Sequence, residues 1–389
     1  MADAILDQAR RYLDELTSIR RDIHANPELG LEEHRTAELV ARKLEEWGLE
    51  VHRGVGKTGV VGVLRNGEGP SIGLRADMDA LAMEEQTNLP YSSRNPGRMH
   101  ACGHDGHTTM LLGAAKLLSE SRNFKGTVNF IFQPGEEGAG GALAMLEDKL
   151  FERFPCDSVF GMHNRPGMPL GQYAIAPGLA MAGAAMFDIV ITGKGGHGAR
   201  PEEAIDPVLV ACHVGAALQS IISRNLPPQD AAVLSITRIN GGDAYNVIPQ
   251  VATMAGTVRA FKHEIMQMVE TNMRRLAGNI AAGFGAEATV AFNVGFAPLV
   301  NDIEQSHAYA DAAAELVGEA KVDRNKSPAN ASEDFSFMLE KVPGAYILVG
   351  NGEDSAPVHH PAYNFNDAAI PFGAALYARL AERKLGKVG

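Results

Sequence analysis

Apolar and polar positions follow two alternating periods along the first half of the chain. The segments LEEHRTAELVARKLEEWG and GHTTMLLGAAKLLSESR have the helical period, and the first ends at Gly48, where a helix stop is expected. The segments GVVGVLRN, SIGLRADMDAL and GTVNFIFQ have the pattern of strands. Strands that alternate with helices in this way predict an α/β fold with a mainly parallel sheet covered on both faces.

From about residue 180 the pattern predicts a different arrangement. Strand-like and helix-like segments follow one another in the order β-α-β-β-α-β, beginning with MFDIVITGKGGHGARP and ending with EATVAFNVGFAPLV. This order is typical of a small split α+β sandwich. We therefore expect an inserted domain at 180–292, inside a discontinuous first domain that comprises 1–179 and 293–389.

The composition narrows the classes of protein to which the chain can belong. A chain of 389 residues is too long for one ordinary hydrophobic core, which suggests two domains. Its residues are 45% hydrophobic and 21% charged, a composition that indicates a globular protein. A net charge of -12 argues against nucleic-acid and anionic-membrane partners. The amino terminus lacks the pattern of a signal peptide. The chain contains no run of 18 apolar residues, so a membrane span is not expected. Its three cysteines are widely spaced, so a disulfide framework is not expected either. We therefore expect a cytoplasmic protein.

The stretch MHACGHDGH at 99–107 concentrates groups that can bind a metal ion. Cys102 and His104 lie two residues apart, and His107 follows at a predicted helix start. A thiolate and an imidazole are good ligands for zinc, manganese, cobalt or nickel. Taken alone, the stretch fits equally well a buried free cysteine beside surface histidines.

Two acidic motifs add carboxylates near predicted strand ends. FQPGEEGAGGA places Glu136 and Glu137 after a buried strand, where an open α/β sheet binds ligands. RADMDAL places Asp77 and Asp79 two apart, on one face of a predicted strand, where they can support and orient a ligand. The alternatives are a solvated loop for the glutamates and a polar strand terminus for the aspartates.

The histidines cluster in the same motifs. GMHNRP supplies His163, and VHHPAYNFND supplies His359 and His360. Seven of the 13 histidines fall in MHACGHDGH, these two motifs and GGHGARP. A single histidine is more often structural than ligating, but this concentration favours a shared site.

The order and spacing of the motifs resemble the M20 family of metallopeptidases and amidohydrolases, in particular its aminoacylases, hippurate hydrolases and indoleacetyl-amino-acid hydrolases. The resemblance runs through RRDIHANPELGLEE, RADMDAL, MHACGHDGH, QPGEEG, GMHNRPG, GKGGHGARP, NVIP, SEDFSF and HHPAYNFND, which span nearly the whole chain. It implies a zinc-peptidase-like catalytic domain with an inserted domain that acts in dimerisation and as a lid.

The resemblance also implies a site for two divalent metal ions and a general base. The implied metal ligands are Cys102, His104, Glu137, His163 and His359. Glu136 takes the place of the general base, and Asp77 and Asp79 support the ligands from behind. His359 is chosen over His360 because the family pattern is His-x-Pro and Pro361 follows. The identity of the metals and the ligand that bridges them stay open.

In the inserted domain the resemblance assigns roles to three further residues. His197 in GKGGHGARP would reach the active site of a neighbouring subunit and stabilise the oxyanion, which implies a homodimer or a dimer-based tetramer. Asn246 and Arg259 would bind the carboxylate of the substrate, since arginine holds carboxylates in a fork. Without the resemblance, His197 fits equally well the tip of a flexible hairpin.

The expected activity is hydrolysis of the amide bond of small N-acyl-amino acids, with water activated by the two metal ions. Three alternatives stay open: an M20 dipeptidase or aminopeptidase, an N-acetyl-diaminopimelate deacetylase, and a non-catalytic, metal-stabilised binding protein. The cysteine of MHACGHDGH favours the acyl-amino-acid branch, and an intact Glu136 argues against a non-catalytic protein. The sequence does not identify the acyl group or the amino acid.

Overall fold

The computed structural model describes residues 4–386, and regular elements account for most of them. The helices are α1 (Ala4–Arg11), α2 (Leu13–Ala25), α3 (His34–Glu46), α4 (His104–Ser121), α5 (Gly141–Glu147), α6 (Leu150–Arg153), α7 (Pro207–Ser220), α8 (His263–Gly283), α9 (Ile303–Val317), α10 (Phe335–Leu339) and α11 (Ile370–Leu385). The strands are β1 (Glu50–Val55), β2 (Gly59–Asn66), β3 (Ser71–Asp77), β4 (Gly126–Gln133), β5 (Ser158–Arg165), β6 (Tyr173–Ala174), β7 (Gly178–Met181), β8 (Gly183–Thr192), β9 (Gly196–His197), β10 (Ala232–Gly241), β11 (Val247–Ile248), β12 (Val251–Ala260), β13 (Glu287–Phe296), β14 (Leu299–Asn301), β15 (Val322–Asp323) and β16 (Gly344–Gly350). Short helical turns occur at Pro201–Glu203, Ile221–Asn225, Glu319–Lys321 and Asp367–Ala369.

The described chain divides into two compact units. The larger unit comprises residues 4–180, 300–328 and 334–386. The smaller unit comprises residues 181–299 and 329–333. The inserted domain predicted from the sequence ends at 292, a position that lies within β13. Since β13 pairs with β8 along its length, that strand belongs as a whole to the smaller unit.

An eight-stranded mixed sheet forms the centre of the larger unit, in the order β1-β2-β4-β3-β5-β16-β6-β15. The central strands β4, β3, β5 and β16 run parallel, whereas β1 and β2 pair antiparallel at one edge. Residues of β3 and β4 are buried along almost the whole of each strand, as expected of parallel strands covered on both faces. The predicted α/β class with a mainly parallel central sheet is confirmed.

Helix α4 packs in the interior of the larger unit and is buried over most of its length. Its middle, MLLGAA, is apolar, but its first turn, HDGHTT, is polar and equally buried. Buried polar side chains require hydrogen-bond or ion partners. The first turn of α4 therefore has to lie against other polar groups of the same unit.

The smaller unit contains a four-stranded antiparallel sheet in the order β10-β12-β8-β13. Helices α7 and α8 pack against this sheet, and the elements follow one another as β8-α7-β10-β12-α8-β13. Along β12, buried positions alternate with more exposed ones, which is the pattern of a sheet with one covered face. The unit thus has a hydrophobic core of its own.

One helix in the described part of the chain is long and apolar enough to cross a membrane by length and composition. It spans Pro207–Asn225, with a mean hydropathy of 1.2. Its residues Val210, Val214 and Leu218 are buried in one cluster with Ile189 and Met254 of the sheet. Because these apolar residues pack on the sheet, we assign the helix to the core of the smaller unit.

A buried ionic cluster joins α2 to the first turn of α4. His24 lies 2.8 Å from Asp105 through Nδ1 and 3.3 Å from Glu85 through Nε2. Arg20 lies 3.3 Å from the same Asp105 and 2.7 Å from Asp367. Burial lowers the pKa of His24, but Asp105 and Glu85 outweigh it and raise that pKa to about 9. His24 is therefore a buried cation at neutral pH.

We expect the His24→Gln variant to lose stability in a pH-dependent way. The folded-state pKa of about 9 exceeds the ordinary value of 6.5, so the charge of His24 stabilises the fold fully below pH 6.5 and this contribution disappears as pH rises through 9. The difference corresponds to on the order of 3 kcal/mol. Urea unfolding in the presence of a chelator should show a larger gap between wild type and variant at about pH 6 than at about pH 9.5. An equal gap at both pH values would contradict the assignment.

Candidate metal centre

The candidate site lies at the carboxyl ends of the central parallel strands. Strand β3 ends at Asp77, β4 is followed by the loop that carries Glu136 and Glu137, and His163 lies near the end of β5. Helix α4 begins at His104. Open α/β sheets bind ligands at this edge, so the topology itself brings these distant segments of the sequence together.

The close spacing of Cys102 and His104 depends on the glycine between them. Gly103 has a φ of 91°, in the left-handed region that favours glycine. A Cβ atom there would lie 2.4 Å from Nδ2 of Asn164, which itself donates a hydrogen bond to the carbonyl oxygen of Cys102 at 2.7 Å. Gly103 thus allows the chain to turn tightly from the thiol into the first residue of α4.

The structure brings together the five residues that the resemblance implies as metal ligands. Groups whose ligating atoms all lie within 4.8 Å of one another are Cys102 with His104 and His163, Cys102 with Glu137 and His359, and His104 with Glu136 and Glu137. The Sγ atom of Cys102 lies 3.3 Å from Nε2 of His163. The Nε2 atom of His359 lies 3.0 Å from Oε1 of Glu137. One thiol, three imidazoles and a carboxylate form a donor set suited to zinc, manganese, nickel or cobalt.

The hydrogen bonds of two histidines show that these residues fit a metal ion. The Nδ1 atom of His104 lies 3.1 Å from Oδ1 of Asp79, whereas its Nε2 is buried and has no hydrogen-bond partner within residues 4–386. The Nδ1 atom of His163 lies 2.6 Å from the carbonyl oxygen of Asn164, which leaves Nε2 directed at Cys102. Histidines that bind metals commonly hold their second nitrogen in this way, and a buried nitrogen without a partner is costly.

The electrostatics of the cluster also favour a bound cation. Burial raises the pKa of the Cys102 thiol well above its usual value, although His104 opposes the rise. Burial also raises the pKa of Glu137, but the hydrogen bond from His359 and the charge of His104 outweigh it and hold that pKa below its usual value. Burial lowers the pKa of His163 to about 3, so its imidazole is neutral and can bind a metal. A thiolate at Cys102 therefore requires a nearby positive charge, which a metal ion would supply.

The third histidine of MHACGHDGH has a different position from that of His104. The Nδ1 atom of His107 lies 2.7 Å from Oδ1 of Asp77, and its Nε2 accepts the main-chain N–H of Asn164 at 2.9 Å. Both ring nitrogens are thus engaged. His107 connects the end of β3 to β5, and Asp77 is held in turn by Arg75, whose Nη1 lies 2.8 Å from Oδ2.

The prediction that Asp77 and Asp79 share one face of a strand is wrong for Asp79. Strand β3 ends at Asp77, and Asp79 lies in the segment that follows. The reason is that both carboxylate oxygens of Asp79 serve other segments: Oδ1 contacts His104, and Oδ2 accepts the main-chain N–H of Glu137 at 2.9 Å. Beyond the end of the strand, one side chain thus contacts both α4 and the loop after β4. The predicted supporting role of the two aspartates stays a prediction.

The two adjacent histidines near the carboxyl end take different directions. His359 contacts Glu137, whereas Nδ1 of His360 accepts the main-chain N–H of Ala362 at 3.1 Å. His359 has a φ of 62°, which is unusual for a residue other than glycine. Its main-chain N–H donates to the carbonyl oxygen of Ala101 at 2.8 Å. This hydrogen bond holds the strained backbone that directs His359, and not His360, to the cluster.

The three candidate residues of the smaller unit lie on different structures: His197 and Asn246 are at the separate two-stranded sheet β9-β11, whereas Arg259 is on β12 of the four-stranded sheet. His197 on β9 pairs with Val247 on β11, and the N–H of Gly198 donates to the carbonyl oxygen of Asn246 at 2.8 Å. His197 and Asn246 are both exposed. Arg259 lies eight residues along β12 from Val251, a distance of about 26 Å along a strand. Within the unit, His197 and Asn246 are therefore neighbours and Arg259 is not part of their group.

Several buried polar residues that position the site are missing from the sequence-based predictions. Glu33 accepts the main-chain N–H of Gly135 at 2.8 Å, just before the two glutamates. Asn164 holds His107, and Arg75 holds Asp77. Each lies inside or beside a motif quoted above, so the motifs did mark the right segments. The pattern of residue types does not reveal which side chain in a motif faces the site.

A known family model matches the segment that contains the candidate site. The family model described as "Peptidase family M20/M25/M40" matches residues 73–383 of the chain. This range covers most of the chain and includes all the candidate ligands and Glu136.

Individual proteins resemble the chain over almost their whole length. The hippurate hydrolase of Campylobacter jejuni is 46% identical over 372 residues, which covers 95% of this chain and 97% of that protein. The N-acetylcysteine deacetylase of Bacillus subtilis is 43% identical over 370 residues, which covers 94% and 96%. The crystal structure of a dinuclear metal-binding M20 peptidase from Bacillus subtilis matches with a TM-score of 0.84 and 38% identity, covering 97% of this chain and 100% of that one.

We expect the Cys102→Ala variant to bind less metal than the wild type, because it lacks the sulfur ligand. Metal content after dialysis against each candidate ion would be measured by elemental analysis, and the variant should retain less than the wild type. In the wild type, bound metal should slow the reaction of Cys102 with a thiol reagent, since a coordinated sulfur is a poor nucleophile. Labelling of Cys102 at the same rate with and without metal would exclude it as a ligand.

Proposed function

The chain belongs to peptidase family M20/M25/M40, and on that premise we propose that it is a metal-dependent amidohydrolase that cleaves the amide bond of N-acyl-amino acids. The two similar proteins described above are named for reactions of this kind: one is a hippurate hydrolase and the other an N-acetylcysteine deacetylase. The observation that supports the proposal best is the cluster in which five ligand side chains lie beside the buried carboxylate of Glu136.

Two divalent ions would be held by Cys102, His104, Glu137, His163 and His359. The number of ions follows the dinuclear peptidase from Bacillus subtilis. When bound, such ions supply Lewis-acid chemistry that acidifies water and polarises an amide carbonyl. Zinc, manganese, nickel and cobalt all suit the donor set.

Glu136 is the residue that we assign as general base. It is buried, and its carboxylate lies within 4.8 Å of ligating atoms of both His104 and Glu137. At that position it would accept a proton from the attacking water and deliver it to the leaving nitrogen. Asp79 would hold His104 in a fixed orientation from the opposite side of the ring.

The smaller unit would contribute to substrate binding and to the transition state. We assign His197 as a donor to the oxyanion in the active site of a neighbouring subunit, within a homodimer or a dimer-based tetramer. Asn246, which lies beside His197, and Arg259, which lies far from them along β12, would bind the carboxylate of the amino acid from different subunits. All three cysteines of the chain are free, in keeping with a reducing cytoplasm as the place where the enzyme works.

A hydrolysis screen with a matched variant tests the proposal. The wild type, loaded separately with each metal, would be assayed on N-acetyl-, N-benzoyl- and indoleacetyl-amino acids, with dipeptides and N-acetyl-diaminopimelate as competing substrate classes. We expect hydrolysis of the acyl-amino acids. In Glu136→Gln, kcat should fall by on the order of 10²–10⁴ while metal content stays near the wild-type level.

The screen separates the activities that the family motifs leave open. Hydrolysis of dipeptides without hydrolysis of acyl-amino acids would contradict the proposed substrate class. Retention of near wild-type kcat in Glu136→Gln would remove Glu136 as the base. Binding of acyl-amino acids without cleavage under any metal would indicate a binding protein.

Mixing of subunits tests the role of His197. The His197→Ala variant should lose roughly 10²–10³ in kcat with no change in metal content, the usual effect of removing one oxyanion donor. A heterodimer of Glu136→Gln and His197→Ala chains would contain one active site with both defects and one with neither. Mixed subunits should therefore regain activity that neither homodimer shows.

The control is a mixture of each variant with itself, taken through the same dissociation and reassembly. If heterodimers form and no activity returns, His197 acts in the site of its own subunit or has no part in catalysis.

A further inference from the structure

The SEDFSF motif has no part in the reaction described above, yet its aspartate lies among the residues of the site. Asp334 is 1% exposed. Its Oδ1 accepts hydrogen bonds from Nε2 of Gln133 at 2.7 Å and from Nη2 of Arg75 at 3.2 Å, and its Oδ2 accepts the main-chain N–H of Ala142 at 2.9 Å. Both carboxylate oxygens are thus fixed by donors from β3, β4 and α5.

Three buried carboxylates hold the loop that carries both glutamates, residues 134–141, which we call the two-glutamate loop. Glu33 accepts the N–H of Gly135 at its start, Asp79 accepts the N–H of Glu137 in its middle, and Asp334 accepts the N–H of Ala142 just after its end. These contacts hold the main chain at two points within the loop and at a third point directly after it.

Asp334 makes a further contact that concerns the general base directly. Its own main-chain N–H donates to Oε1 of Glu136, at 3.4 Å. The side chain of Asp334 therefore fixes its main chain, and that main chain in turn contacts the carboxylate of the base. Arg75 extends the connection, because it lies between Asp334 and Asp77.

We propose that Asp334 is a positioning residue for Glu136: it orients the carboxylate of the base through its main-chain N–H and fixes the end of the two-glutamate loop through its side chain. The inference rests on the proposed function, in which Glu136 is the base. It requires that loss of the Asp334 carboxylate lowers kcat through Glu136, while metal binding and KM change little.

The test uses Asp334→Asn, which keeps the size of the side chain but places an amide group against donors that require a carboxylate. We expect kcat to fall on the order of 10–100-fold, with metal content and KM within about 2-fold of the wild type, as for a misplaced catalytic group. The matched control is Asp302→Asn. Asp302 also accepts a main-chain N–H, that of Gln305 at 2.9 Å, but at the start of α9, and its substitution should leave kcat unchanged.

A double variant separates action through Glu136 from a general structural effect. When Asp334→Asn is added to Glu136→Gln, kcat should fall by less than about 2-fold further, because residues that act as a unit are not additive. Equal losses in both backgrounds would overturn the inference, and so would a wild-type kcat in Asp334→Asn or a loss of metal that accounts for its lower kcat. If Glu136→Gln itself keeps full activity, the proposed base and the inference both fail.

A second variant covers the case in which Asp334→Asn does not fold. Gln133→Met removes the donor that lies 2.7 Å from Asp334 and leaves the charges of Asp334 and Arg75 in place. Its kcat should fall severalfold in the wild-type background and stay constant in the Glu136→Gln background. An unchanged kcat in Gln133→Met, or the same fall in both backgrounds, would also overturn the inference.

Discussion

The carboxylate of Asp79 connects two candidate metal ligands that come from different elements. One oxygen contacts His104 at the start of α4, and the other accepts the main-chain N–H of Glu137 in the loop after β4. Because Asp79 is buried, its charge is stabilised only by such partners. The same contact that satisfies the aspartate therefore fixes the spacing between an imidazole and a carboxylate. The geometry of the candidate centre thus depends on the need to compensate a buried charge.

Burial has a second consequence, which concerns the binding of metal. The thiol of Cys102 stays protonated in this setting because burial raises its pKa, while the buried Nε2 of His104 has no hydrogen-bond partner within the described residues. Both conditions are relieved when a cation binds, because it stabilises a thiolate and gives the Nε2 atom of His104 a direct partner. Metal binding and the stability of the larger unit are for this reason expected to be coupled, with protons released as the ions enter.

The sequence predicts the α/β class and the motifs of the site well, because strand and helix periods and residue types are local properties. It does not predict the partners of individual side chains, because these depend on contacts between distant segments. His104 and His107 have the same chemistry in one motif, and their contacts distinguish them: His104 contacts Asp79, whereas His107 contacts Asp77 and Asn164. Asp334 meets Arg75 across 259 positions of sequence, a contact that no local pattern contains. The strand assignment of Asp79 fails for the same reason.

The proposed general base Glu136 lies on a glycine-rich loop, and a base has to be held in a fixed position to act. Half of the eight residues at 134–141 are glycine, so the side chains of the loop restrain its conformation little. Glycine is needed there: a Cβ atom at Gly141 would lie 1.5 Å from the carbonyl oxygen of Pro134. The tight path of the loop thus excludes the side chains that would otherwise stiffen it. Carboxylates from outside the loop add rigidity, since each accepts a main-chain N–H within the loop or directly after it. Placement of Glu136 therefore depends on these surrounding carboxylates as well as on the main-chain hydrogen bonds within the loop.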